Sequence, residues 1–472
     1  MTNFRFLTFI VLCVLFAPAI GIATDAPKPN VIFILADDLG WEDLGCYGHP
    51  NIKTPNLDKL AKGGTLFTQF YVNASVCSPS RCAFFTGQYP SRHKIHGHYA
   101  TREQNTSRGM SQWLEPTVPN VPTLLKSAGY ATAHIGKWHL GSNSGGPPPD
   151  KYGFDFVGTS ESGGANGPAN DPYFRAKSTE IFVDEAIQFV ESNKAKPFYL
   201  QLWTLVPHAT LNPTDEQVKP YARFRAGGPN FPHRSAAENF YASVTDLDTQ
   251  VGRLMKTLDD NGLANNTLIL FSSDNGPEDI HISNAGHSGI GSAGPFRGRK
   301  RSLYEGGVRV PGIIRWPGHV PAGVIDDTSV VAAVDWLPTI CKLAGVTVPV
   351  EHKLDGENMS DVFLGQPRAR TNPLMWEWRF RIAGEPFHHS PQLAIRDGDW
   401  KLLLNPDRSR IELYDLKRDL TQLNNVAEKH PDVVTRLSER VLTWQKELPT
   451  GPLDPGAGQM NYTLPGGKPR GR

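Results

Sequence analysis

Four uninterrupted apolar stretches punctuate the chain, and each ends in a cluster of polar, reactive side chains. Asn30 to Leu35 runs into Ala36-Asp37-Asp38, and Ala131 to Gly136 runs into Lys137-Trp138-His139. Phe198 to Val206 runs into Pro207-His208, and Thr267 to Ser273 runs into Asp274-Asn275-Gly276. Runs of this length, rich in β-branched and aromatic residues and lacking period-2 alternation, predict strands buried on both faces. Between them lie segments with helical spacing: Asn56 to Ala61, Val121 to Ala128, Ile181 to Asn193 and Glu238 to Asn261. Asn261-Gly262 supplies a stop signal for the last. Strands alternating with helices predict an α/β fold with a large, mostly parallel central sheet flanked by helices. Ligands of such sheets bind beyond the carboxyl ends of the strands, and all four polar clusters belong at that edge.

The texture changes after about Pro367. Leu374 to Trp378, Gln392 to Arg396, Trp400 to Leu404 and Glu412 to Leu416 read as short strands between turns, followed by a helix from Pro431 to Glu447. This predicts a small C-terminal antiparallel sheet with a helix packed on it. The expected division is a leader over 1–23, a catalytic domain over 24–370, an α+β subdomain over 371–448 and a loose Gly- and Pro-rich tail over 449–472. Gly145 to Pro149 and Thr159 to Ser178 read as loops.

Composition narrows the class. The chain has 472 residues, 39% hydrophobic and 20% charged, as expected of a folded globular protein. A net charge of +1 leaves no global basic field for nucleic acid. Arg5, the apolar run Phe6 to Ala19 and the small residues Gly21 and Ala23 have the form of a secretory signal, with a run short for a membrane span. The expected location is therefore secreted or periplasmic, with no membrane association after cleavage. Beyond Cys13 in the leader, Cys46, Cys77, Cys82 and Cys341 remain, too few for a disulfide-stapled scaffold.

The chemistry concentrates around Cys77-Ser78-Pro79-Ser80-Arg81. Pro79 suits the first turn of a helix that Gly87 can end, which puts Cys77 at the positive helix end with Arg81 one turn in. Taken alone, a buried cysteine at a turn reads equally well. Asp37, Asp38, Asp274 and Asn275 are oxygen donors on two strand ends; they suit Ca2+ or Mg2+ over Zn2+, although either pair alone could simply cap a turn. Lys137, His139, His208 and Lys300 are candidate anion contacts and proton carriers.

The run Cys77 to Arg92, together with Gly136-Lys137-Trp138-His139-Leu140-Gly141 and Leu303 to Pro311, resembles the formylglycine-dependent sulfatases. The flavour is closest to arylsulfatase A-like and N-acetylgalactosamine-6-sulfatase-like members of the alkaline phosphatase superfamily. Cys82 stands where that family often has alanine, and Gln422 where glutamate is frequent. The resemblance implies that a formylglycine-generating or sulfatase-maturing enzyme converts Cys77 to 3-oxoalanine, whose hydrate is the nucleophile. It implies one Ca2+ held by Asp37, Asp38, Asp274, Asn275 and position 77. It further implies catalytic roles for Cys77, Arg81, His139 and His208, and sulfate contacts from Lys137 and Lys300.

The implied substrate is a sulfate monoester on a sugar or polysaccharide. Candidate substrate-facing residues are His96, His98, Tyr99, Arg102 and His287, the basic trio Arg297, Arg299 and Arg301, and Trp376, Trp378 and Arg379, which serve equally well as core. Two other readings stay open at this level: a phosphonate or phosphate ester hydrolase of the same superfamily, and a carbohydrate-binding homologue whose Cys77 remains a thiol.

Overall fold

The computed structural model describes Met1 and residues 28–141, 144–159, 172–228, 233–282, 287–382, 384–451 and 454–460. Residues 2–23 of the expected leader, the Asn284-Ala285-Gly286 stretch and the end of the expected tail lie outside the described residues; of the expected loop over 159–178, residues 160–171 lie outside them too, and from Pro172 on the chain is helix instead.

A nine-stranded sheet forms the centre. Its strands are β1 (Asn30–Ala36), β2 (Thr65–Tyr71), β3 (Ala131–Gly136), β4 (Phe156–Val157), β5 (Phe198–Trp203), β6 (Thr267–Ser273), β7 (Arg309–Arg315), β8 (Val324–Asp326) and β9 (Val331–Ala332). The order across the sheet is β4-β3-β5-β1-β6-β7-β2-β8, with β9 also on β2. All pairings are parallel except the two made by β7, so β7 alone runs against the rest. The carboxyl ends of β1, β2, β3, β5 and β6 therefore share one edge.

The unbroken apolar runs are explained by burial on both faces. Val31, Phe33 and Leu35 point to one face, where they meet Phe84, Trp203 and Trp336. Ile32 and Ile34 point to the other, among Leu57, Phe182, Phe240 and Leu247. The second face is covered by the helices Pro55–Lys62, Pro172–Asn193 and Ala236–Asp260. The last opens with a capping box: the Ser235 hydroxyl accepts from the Glu238 amide, and the Glu238 carboxylate accepts from the Ser235 amide.

Four further strands, β10 (Leu374–Glu377), β11 (Leu393–Asp397), β12 (Trp400–Leu404) and β13 (Glu412–Asp415), form an antiparallel sheet in sequence order, with the helix Pro431–Lys446 against it. Polar side chains tie this sheet to the first. The Trp376 indole donates to the Val72 carbonyl at 2.7 Å, and Lys401 donates to Glu305 at 2.7 Å with both side chains fully buried. Asp454 and Ala457, in the expected tail, lie back on this region: Asp454 pairs with Arg381, and the Ala457 carbonyl accepts from Gln392.

Candidate active site

Each strand end at the shared edge delivers one part of a single cluster. β1 leads to Asp37 and Asp38, and β6 to Asp274 and Asn275. The Asp38 backbone is left-handed at φ 67°, a conformation Asp tolerates better than most residues, and its amide donates to Asp274 Oδ1 at 3.1 Å. β3 leads to Lys137 and to His139, also left-handed at φ 54°, and β5 leads to His208. β2 continues through Val72 to Val76 into the helix Cys77–Thr86, whose first residue is Cys77 and whose ten residues are all buried. Gly87 ends it at φ 70°, with its amide on the Ala83 carbonyl.

The cluster is compact. Ligand atoms of Asp37, Asp38, Cys77 and Asp274 all lie within 4.8 Å of one another. Cys77 Sγ sits 3.5 Å from Asp37 Oδ1 at the positive end of its helix. One turn on, Arg81 reaches back: its Nε and Nη2 donate to Asp274 Oδ2 at 3.1 and 2.7 Å, and Nη1 donates to the Lys137 carbonyl. The Trp203 ring backs the guanidinium at 5.1 Å. Lys137 donates to Asp37, and Lys300 donates to both oxygens of Asp38 at 2.6 and 2.7 Å. His208 turns Nε2 toward Asp38 Oδ2 at 3.8 Å while Nδ1–H donates to the Ala209 carbonyl. His139 Nε2 donates to the Tyr99 carbonyl at 3.0 Å, which leaves Nδ1 as its basic nitrogen. The expected residues Asp37, Asp38, Cys77, Arg81, Lys137, His208, Asp274, Asn275 and Lys300 thus converge, with His139 close behind Lys137.

Electrostatics follow from packing so many charges out of water. Burial alone would raise the Asp37 carboxyl, but Lys137, Arg81 and Lys300 overcome it and hold Asp37 well below the usual range. Burial pushes Asp38 and Asp274 up, and the Asp37 charge adds to both shifts against Lys300 and Arg81. Burial, with Asp274 beside it, also pushes the Cys77 thiol up, so an unmodified thiol here stays protonated. His208 is held neutral, down to about 3, by its packing and by Lys300. His139 is lowered in the same way by burial and Lys137.

The donor set fits a hard divalent cation. Three carboxylates crowd one another in a site without a sulfur or imidazole pair of the kind zinc prefers. Asn275 donates through Nδ2 to Asp38 and to the Gly276 carbonyl, while its Oδ1 is buried with no hydrogen-bond partner. A buried carbonyl oxygen left idle beside three carboxylates suits the oxygen-rich coordination of a hard cation.

The remaining substrate-facing candidates divide. Trp376 and Arg379 are core, the latter pinned to Glu377 at 2.8 Å, and His96 is buried 3.5 Å from the same carboxylate. Tyr99 is buried, its amide on the Ser78 hydroxyl. Arg102 stacks over Trp113 on an exposed helix, and His287 lies against the Leu211 carbonyl. Arg297 stacks on Tyr304 and Phe387, and Arg299 braces the loop carbonyls of Glu278, Gly289 and Gly291. His98, Arg301 and Trp378 line a cavity beside the cluster. All four described cysteines are free.

Two residues that sequence reasoning did not single out belong to this neighbourhood. Glu278 is buried 3.5 Å from Lys300 and accepts from both terminal nitrogens of Arg301. Its position two residues after Gly276 is the only local signal. Arg108 lines the same cavity as Arg301, and nothing around it in sequence marks it.

Comparison with known proteins places this geometry. Residues 29–346 match the Sulfatase family model, and residues 294–447 match that of the N-sulphoglucosamine sulphohydrolase C-terminal region. Human arylsulfatase A is 36% identical over 408 residues, covering 82% of this chain and 76% of the relative. N-acetylgalactosamine-6-sulfatase of Canis lupus familiaris is 33% identical over 387 residues, covering 75% and 69%. Among solved structures, Ps i-CgsB in complex with k-i-k-neocarrahexaose superposes with a TM-score of 0.72 at 30% identity, covering 88% of this chain and 92% of that one. With its site assembled on the same sheet edge that its motifs mark, the chain belongs to the sulfatase family of sulfuric ester hydrolases.

Proposed function

We propose that the protein is an exported hydrolase of sulfate monoesters on a carbohydrate, acting through a formylglycine at position 77 and one Ca2+. The observation that carries this reading is the convergence of Asp37, Asp38, Asp274 and Cys77 within 4.8 Å, with Arg81, Lys137 and Lys300 around them. Ca2+ would be held by Asp37, Asp38, Asp274, the idle Asn275 oxygen and position 77, and when bound it supplies Lewis-acid stabilisation of oxygen charge. Oxidised by a maturing enzyme and hydrated, position 77 would supply two hydroxyls: one to attack sulfur, the other to drive sulfate out as the aldehyde returns. A serine offers only the first of these.

The chain's own residues do the rest. Arg81, fixed by Asp274 and by the Lys137 carbonyl, orients position 77 and favours negative charge there. The ammonium groups of Lys137 and Lys300 offset charge on the sulfate oxygens. His208 Nε2 faces the cluster and holds the proton for the leaving alcohol; an incoming anionic ester raises its proton affinity. His139 Nδ1 receives the proton of the second hydroxyl. The carbohydrate reading is supported by the N-acetylgalactosamine-6-sulfatase relatives and by the sugar-bound structural neighbour. Export is supported by the pattern of Arg5 and Phe6 to Ala19, and no helix among the described residues is long and apolar enough to cross a membrane. The test is sulfate release by the matured protein from defined sulfated oligosaccharides. Release from at least one, abolished by chelation, is expected; release of phosphonate esters with no sulfate release from any sugar contradicts the reading.

A further inference from the structure

A cavity of about 250 Å³ opens beside the cluster, lined by His98, Arg108, Arg301, Trp378, Phe380 and Arg381. That is close to the lower end of the volumes at which proteins bind small ligands, about 300 Å³, and suits a single sugar-sized group. No cluster residue lines the cavity, but two of its lining residues are tied to the cluster. Arg301 follows Lys300 in the chain, and its guanidinium feels the charges of Glu278 and Asp38. His98 precedes Tyr99, whose amide donates to Ser78 on the Cys77 helix and whose carbonyl accepts from His139.

The charges in the cavity do not cancel. Arg301 is matched by Glu278, and Arg381 by Asp454. Arg108 has no carboxylate partner among the described residues. Its Nη1 donates only to the carbonyl of His98, at 3.2 Å, and toward that residue's ring nitrogen at 3.4 Å. Half-burial disfavours its charge, with nothing nearby to offset the cost. The cavity also holds a ring surface. Trp378 and Phe380 meet edge to face at 5.5 Å. Gly97 allows this, since a Cβ there would come within 3.0 Å of the Phe380 ring.

One unmatched guanidinium beside an aromatic wall describes a receptor for a sugar bearing one negative charge. We propose that this cavity selects substrates carrying a second anionic substituent, a sulfate ester or a carboxylate, on or next to the sugar whose sulfate is cleaved, with Arg108 as its specificity-determining residue. The inference rests on the carbohydrate reading above and deepens it: the preferred substrate is a multiply charged saccharide.

The test uses the full chain with Cys77→Ala, so that binding is read without turnover. Calorimetry compares three probes: a monosulfated disaccharide, the same disaccharide with a second sulfate, and the same disaccharide with a uronic carboxylate. A charge-assisted contact of this kind corresponds to a difference on the order of tenfold to a hundredfold in Kd. We expect at least one doubly charged probe to bind tighter by that factor, and the one preferred identifies the anion. Arg108→Gln is expected to remove the preference and Arg108→Lys to restore part of it. Equal affinity for all three probes, or a preference that survives Arg108→Gln, overturns the assignment of the cavity alone. Binding of none of them overturns the carbohydrate reading beneath it.

Discussion

Glu278 and Arg301 form a two-point ion pair, with both terminal guanidinium nitrogens on the two carboxylate oxygens of a side chain that is only 2% exposed. The same carboxylate lies 3.5 Å from Lys300, which in turn holds Asp38. One acid therefore connects the carboxylate cluster to the cavity beside it.

Glu278 is a positioning residue on this geometry. Glu278→Gln keeps the shape and removes the charge, so Lys300 and Arg301 lose their shared anchor. We expect kcat/KM on a sulfated disaccharide to fall by about tenfold to a hundredfold, the range of a lost charge-assisted bond. Glu278→Asp should recover part of the loss. A fall in melting temperature with unchanged kcat and KM would reduce Glu278 to a structural role.

The idle Asn275 oxygen predicts a thermodynamic response to Ca2+. A ligand that binds only the folded state stabilises it by about 2.7 kcal/mol at a hundredfold excess over Kd. Thermal melting of the chelated protein should rise on adding Ca2+, and Asn275→Ala should need more Ca2+ for the same rise. A melting temperature indifferent to Ca2+ contradicts the assigned ligand set.

Gly276 sets how closely Asn275 can approach the cluster. A Cβ on Gly276 would lie 1.9 Å from the Gly306 carbonyl oxygen, which is backbone and cannot swing aside. Gly276→Ala should displace the Asp274-Asn275 turn and lower kcat by a hundredfold or more, in the range seen when reacting groups move by about an ångström. Full activity in that variant would mean that the turn is free to shift.

Acid should loosen the contact between the two sheets. Burial would raise the Glu305 carboxyl, but Lys401, Arg309 and Arg396 hold it down at about 2. A depressed acid stabilises the fold fully above its unfolded value, about 4.5 for Glu, and loses that contribution as pH falls through its folded one. Unfolding free energy should therefore fall between about pH 4.5 and 2. Glu305→Gln should flatten that window and cost about 3–5 kcal/mol at neutral pH by leaving Lys401 buried and unpaired. An unchanged acid profile in the variant would assign the transition to other groups.

The parts of the fold legible in the sequence were those with two buried faces. β1, β3, β5 and β6 are continuous apolar runs because helices or side chains cover them on both sides, and their polar ends marked the cluster directly. β2 and β7 carry no such signal. In β2, Gln69 interrupts the pattern because it accepts from Arg396 of the second sheet. In β7, Pro311 and Gly312 read as strand breakers. Yet Gly312 is required, since a Cβ there would lie 2.5 Å from the Phe70 ring. The antiparallel strand was therefore hidden, and with it the path by which β2 delivers Cys77. Glu278 and Arg108 were hidden for a different reason: their partners Lys300, Arg301 and His98 are set by folding and not by spacing.

The most direct measurement is mass analysis of the Cys77 peptide from protein made in a host with a maturing enzyme, paired with sulfate release by the same preparation. The account predicts an aldehyde at position 77, trapped by a hydrazine reagent, with turnover proportional to the fraction converted. A preparation whose position 77 is wholly thiol and which still releases sulfate through many turnovers would contradict it.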